Sequence, residues 1–129
     1  MQSRAAEAYR STRQKTASPR ELEAGLLLAA ASHLQAVPTD LVDDRHPPNT
    51  KALVAAITFN CKIWTILITS AMRGGSDLPD AIRQSVAELG LYVIRRSAQT
   101  LQEASGQSAR DALATLVEIN RSVASGLRG

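Results

Sequence analysis

The sequence predicts an all-α protein: a single-domain bundle of about five helices, spanning residues 1–129, built around a central apolar third helix. Three observations predict it. Apolar residues recur at helical rather than alternating spacing along most of the chain. Helix starts and stops punctuate it at Ser18-Pro19, Gly74-Gly75, Pro79 and Gly106. Aromatics make up only 3% of the residues, against 44% apolar, so the core must be built from Leu, Ile, Val and Ala, which suits closely packed helices.

A first helix is expected from about Ala5 to Lys15, with Tyr9 its only large apolar contact. Residues 1–16 are read as a mobile appendage to the domain. Ser18-Pro19-Arg20-Glu21 reads as a capping box with proline at the first helical position, opening a second helix that ends near Ala36, before Pro38. Its inward stripe is read as Leu22, Leu26, Ala29, Ala30, His33 and Val37. The segment from Pro38 to Pro48, rich in Pro and Asp, reads as a stiff strap, with His46-Pro47-Pro48 biased to polyproline II geometry.

Asn49 is expected to cap the third helix, about Thr50 to Arg73. Its polar residues Thr58, Lys62, Thr65, Thr69 and Arg73 fall on one narrow stripe, and most other positions are apolar. A helix apolar on most sides belongs inside a bundle. A fourth helix should start near Asp77, hold Pro79 in its first turn, and run to about Ala104. Its stripe is Ile82, Val86, Leu89, Val93 and Leu101. Ser108 is expected to cap the fifth, whose apolar face is Leu113, Leu116, Ile119, Val123 and Leu127.

The bulk numbers narrow the class. Net charge is +3, with five Arg/Lys against one acid in residues 1–20, which speaks to solubility more than to a site. One cysteine, Cys61, excludes an internal disulfide and fits a reducing cytoplasm. The longest charge-free run, residues 24–39, is shorter than the roughly 20 apolar residues of a spanning helix, so a soluble chain is expected. No Gly-rich phosphate loop is present. The two histidines, His33 and His46, lack ligand partners at metal-binding spacing, so no cofactor, no metal and no enzymatic activity is expected. His33 is read as a half-buried packing residue and Cys61 as an inert buried thiol. Basic residues lack interleaved aromatics, which argues against direct RNA binding.

Two amides stand out. Asn60, between Ile57 and Trp64, and Asn120, before Val123, sit on otherwise apolar faces. They either fix the bundle's register by hydrogen bonding or line a groove for a guest helix. Gly90 lies inside a helix, where it costs about 1 kcal/mol against Ala unless another helix packs close against it.

Ordered blocks carry a family resemblance. Asn60-Cys61-Lys62-Ile63-Trp64-Thr65, Leu78-Pro79 and Glu88-Leu89-Gly90-Leu91-Tyr92-Val93 resemble the central blocks of the flagellar biosynthesis regulator FlaF family. Tyr9 and Ser18-Pro19-Arg20-Glu21-Leu22-Glu23 resemble its opening; Glu118-Ile119-Asn120-Arg121-Ser122-Val123 and Gly126-Leu127 resemble its close. The chain departs from the pattern at Cys61-Lys62 and Gly75-Ser76-Asp77. The resemblance implies a cytoplasmic, non-enzymatic protein that binds newly made flagellin as a secretion chaperone. It also implies post-transcriptional control of flagellin synthesis with a companion regulator, FlbT. The alternatives are a translational regulator acting on flagellin mRNA and a self-associating structural bundle. Candidate partner-binding residues are Tyr9, Asn60, Gly90, Leu116, Asn120, Val123 and Leu127. Ser18, Pro19, Glu21, Trp64 and Pro79 are expected to be structural.

Overall fold

A computed structural model of the chain describes residues 18–38, 50–74, 78–103 and 106–129, together with Ala5. These residues form four helices, α1 (Pro19–Gln35), α2 (Thr50–Met72), α3 (Asp80–Glu103) and α4 (Gly106–Arg128). No strand occurs among the described residues. The expected first helix with Tyr9, most of the strap with the Asn49 cap, and Gly75-Ser76-Asp77 lie outside them.

The start of α1 is set by its capping residues. Ser18 is extended, and its hydroxyl accepts the Glu21 amide at 3.1 Å while Pro19 takes the first helical position. The helix stops where Ala36 and Val37 close the last turn onto Ser32 and Leu34, before Pro38. Its inward face differs from the expected one. Ala24, Leu27, Ala30, Ala31 and Leu34 are buried. Leu22 is 51% exposed, and Leu26, Ala29 and His33 also face outward. Nearly every position from 24 to 31 is apolar, so periodicity alone could not fix the phase. Packing chooses the face rich in alanine because small side chains let another helix approach closely. His33 is exposed, not half-buried, with its ring 4.8 Å from that of Phe59.

Along α2 the polar stripe Thr58, Lys62, Thr65, Thr69 and Arg73 is exposed as expected. Thr65 and Thr69 satisfy their hydroxyls on the carbonyls of Cys61 and Thr65, both at 2.8 Å. Leu53, Ile57, Ile63, Trp64 and Leu67 turn inward. The segment Lys51–Met72 is long and apolar enough to cross a membrane by length and composition. The charge-free run measured in the sequence missed it because Lys62 interrupts it. Its buried side is turned to the other helices, while Val54, Ile66 and Met72 stay exposed.

Three residues later than expected, α3 begins at Asp80: the Pro79 carbonyl accepts the amides of Ile82 and Arg83, each at 3.0 Å, so Pro79 precedes the first turn. The buried line is Val86, Gly90, Val93, Ser97 and Thr100. Ile82 and Leu101, assigned inward from the sequence, are exposed. Two buried hydroxyls continue the face instead, satisfied on their own helix by the carbonyls of Val93 (2.6 Å) and Arg96 (2.7 Å).

Residue Gly106 opens α4 ahead of Ser108, which lies exposed within the first turn and is not its cap. Its inward face, Ala109, Ala112, Leu113, Leu116, Asn120, Ala124 and Leu127, is continuous.

Packing is uneven. The most extensive contact is α1 with α4, followed by α2 with α3; α1 joins the two pairs through α2, and the backbones of α3 and α4 meet only slightly. Ser70 donates to Glu23 at 3.0 Å across the α1–α2 seam. Through the side chains of Asn60 and Trp64, α2 also reaches α4, so the apolar helix expected to be central touches all three others.

Candidate functional site

A polar cluster lies where α1, α2 and α4 converge. Trp64, Asn60 and Asn120 are each 0% exposed. Trp64 Nε1 donates to Asn120 Oδ1 at 2.9 Å. Asn120 Nδ2 donates to Asn60 Oδ1 at 2.6 Å and to the Leu27 carbonyl at 3.2 Å. One amide thereby ties three helices, and its orientation is fixed because only its oxygen can accept the indole N–H. Asn60 Nδ2 finds no partner among the described residues. The cluster is closed to solvent, and its geometry is that of a register-fixing core network.

The other candidates from the sequence are dispersed. Leu116, on the inward face of α4, is fully buried in the core. Gly90 lies on the α2–α3 seam, where an added Cβ would meet the end of the Ile68 side chain and, at 2.6 Å, its Cγ1. Val123 is half-buried against the core. Leu127 is only 6% exposed, so the last turn is held and Leu127 is part of the core rather than a free end. Tyr9 lies outside the described residues. Ser18, Pro19, Trp64 and Pro79 occupy the structural positions described above. Glu21 lends its amide to the cap.

Open concave surface lies elsewhere. A groove of about 510 Å³ runs between the end of α1 and the middle of α4. Leu34, Val37, Leu113, Ala114 and Val117 give it an apolar floor, and Gln35, Arg110, Glu118 and Arg121 stand around it. The α4 residues follow one helix face at positions 110, 113, 114, 117, 118 and 121. Arg121 donates to Gln35 Oε1 at 2.8 Å, bracing the groove across the two helices. Val37 also lines a second hollow with His33, Ala36, Ala52, Ala55 and Phe59. Apolar surface therefore continues around the end of α1 onto the start of α2.

Sequence reasoning named Leu113 only as core and did not single out Leu34, Arg110, Val117 or Arg121. The signal was present as the run Arg110, Leu113, Val117, Arg121, an apolar stretch flanked by like charges on one face. Among the described residues, no group of three or more His, Cys, Asp or Glu side chains could hold a metal ion.

Comparison with known proteins adds the family. The model of the family described as flagellar protein FlaF matches residues 5–127. No curated protein and no solved structure gave a significant match. The matched span includes α1, α2, α3 and all but the last residue of α4, with the three-helix amide cluster and the groove. The chain belongs to the flagellar protein FlaF family.

Proposed function

We propose that this protein binds newly made flagellin before export, acting as a cytoplasmic chaperone, and that with FlbT it couples flagellin synthesis post-transcriptionally to that binding. The observation that carries the reading is the open apolar groove between α1 and α4. Flagellin's terminal segments become helical only on polymerisation, and until then they present apolar stripes that need cover. An amphipathic helix laid in a groove buries such a stripe by matching residues at helical spacing to the floor. Each large aliphatic side chain removed from water contributes about 1.5–3 kcal/mol, so two or three anchors suffice for useful affinity. The groove needs no rearrangement of the core, because its floor residues are already packed.

Regulation follows from occupancy. If the free and flagellin-filled forms present different surfaces to FlbT, the amount of unexported flagellin sets the regulatory output. The test is titration calorimetry of the full chain with purified flagellin, in low and high salt, beside a flagellin-message RNA. The reading expects flagellin affinity that changes only a few-fold with salt, since apolar burial is not screened. Binding of RNA alone, weakening steeply with salt through counterion release, contradicts it and favours a polyanion site.

A further inference from the structure

We infer that the chain's own N-terminal segment, residues 1–17, folds back along α1 and seats Tyr9 on an uncovered apolar band at the α1–α2 seam.

Two contacts across the seam place the band. Ser70 donates to Glu23 at 3.0 Å near one end, and the rings of His33 and Phe59 lie 4.8 Å apart near the other, so α1 and α2 run antiparallel. Between these contacts Leu26 stands three residues after Glu23, and Ile66 four before Ser70. The two are therefore level, on the helix flanks that meet at the seam. Both are exposed, at 37% and 50%. Leu22 and Ala29 extend the α1 side at helical spacing and are exposed too. Past Glu23, α1 carries no Asp, Glu, Lys or Arg. A helix apolar on its outer as well as its inner face belongs under cover.

Register, length and charge select the occupant. Ser18 is extended, at φ −67° and ψ 149°, so the chain entering α1 does not continue its axis. Antiparallel helix pairs are joined by roughly two to five residues, and Thr16 and Ala17 supply such a link. Turned back there, the helix expected over residues 5–15 spans about 16 Å at ~1.5 Å per residue, the reach of the band from Leu22 to His33. Tyr9 lies nine residues before Ser18 and Leu26 eight after it, so the segment's one aromatic comes level with Leu26 and Ile66. Arg10, Arg13 and Lys15 then lie toward the end that carries Glu21 and Glu23. Glu7 lies toward Lys62, which is exposed between Phe59 and Ile66 on α2. The family match begins at residue 5, inside the segment.

The experiment times trypsin cleavage of the full chain at Arg10 and Arg13 by intact mass, beside a synthetic peptide of residues 1–20. Cleavage in the wild type should run about tenfold more slowly than in the peptide, because the segment must undock first, and at a rate independent of protein concentration. Tyr9→Ala, outside the four helices, should restore the peptide rate. So should Leu26→Asp and Ile66→Asp, read where their melts match the parent. Leu91→Asp, at a comparably exposed position on α3, should not. Wild-type cleavage at the peptide rate, or protection that survives Tyr9→Ala, overturns the inference. Protection that grows with protein concentration also overturns it and gives the band to a second copy. Protection seen only with added flagellin overturns it in favour of flagellin. The flagellin groove is tested separately, since it lies between α1 and α4 whereas Leu26 flanks α2.

Discussion

Asn120 on α4 and Asn60 on α2 meet side chain to side chain at 2.6 Å, both fully shielded from solvent. Their roles are unequal. Asn120 also accepts the Trp64 indole N–H and donates to the Leu27 carbonyl, whereas Asn60 Nδ2 is left without a partner among the described residues. An amide that spans three helices fixes how they are registered; an amide with an orphaned donor offsets part of its own benefit.

That asymmetry predicts an order. Asn120→Leu strands the Trp64 N–H and the Asn60 amide, and should cost about 2–4 kcal/mol, at ~1–3 for each polar group left buried without a partner. Asn60→Leu removes the orphaned donor and leaves Asn120 two of its three bonds, so it should cost about 1 kcal/mol or less on the same scale. Urea unfolding of both variants checks the order. Equal losses, or a greater loss for Asn60→Leu, contradict the arrangement.

Trp64 separates packing from hydrogen bonding. Trp64→Ala should cost about 3–5 kcal/mol as a buried large-to-small change. Trp64→Phe keeps much of the volume but deprives Asn120 Oδ1 of its donor, and should cost about 1–3 kcal/mol. Thermal melts that leave either variant like wild type would remove Trp64 from the core.

Gly90 makes a prediction against helix propensity. Ala is normally better than Gly within a helix by about 1 kcal/mol. Here a Cβ would collide with Ile68, whose branched side chain is stiff on a helix, and would touch Trp64 at 3.4 Å. Gly90→Ala should therefore destabilise by about 1–3 kcal/mol, as overpacking does. Adding Ile68→Ala should recover much of the loss, and the double-mutant cycle reads the coupling.

Leu127 sits two positions from Gly129 on a turn that stays packed, being only 6% exposed. Leu127→Asp should cost about 2 kcal/mol, at the low end for deleting a buried aliphatic side chain because the last turn can fray. A stability unchanged in urea would show that the last turn carries nothing.

How much of this was legible in the sequence depends on whether a feature is local. The Ser18-Pro19 start and the stop before Pro38 are determined within a few residues, and they were readable. So was the burial of Trp64, which has apolar neighbours on both sides in sequence. The phase of α1 was not: with Leu22, Leu26, Leu27 and Leu28 all available, local pattern leaves several faces equivalent. Only the close approach of α4 selects Ala24, Ala30 and Ala31 for the interior. The polar residues of α3 misled in the other direction, because a serine or threonine bonded to its own helix can be buried as readily as a small apolar residue. Asn60 and Asn120 were visible as oddities, yet they lie sixty positions apart and nothing in the sequence says that they pair with each other and with Trp64. The groove was hidden for the same reason. It belongs to two helices at once, and half of its lining looked like ordinary surface.

The central claim is that the α1–α4 groove holds the guest. Ala114 lines it, is exposed, and lies on a helix, so Ala114→Trp fills the groove without touching the core. Titration calorimetry of purified flagellin with wild type and Ala114→Trp, after melts confirm equal stability, is the direct measurement. The account predicts binding by wild type and a loss of at least about tenfold, or ~1.4 kcal/mol, in the variant. Equal affinity for both proteins would contradict it.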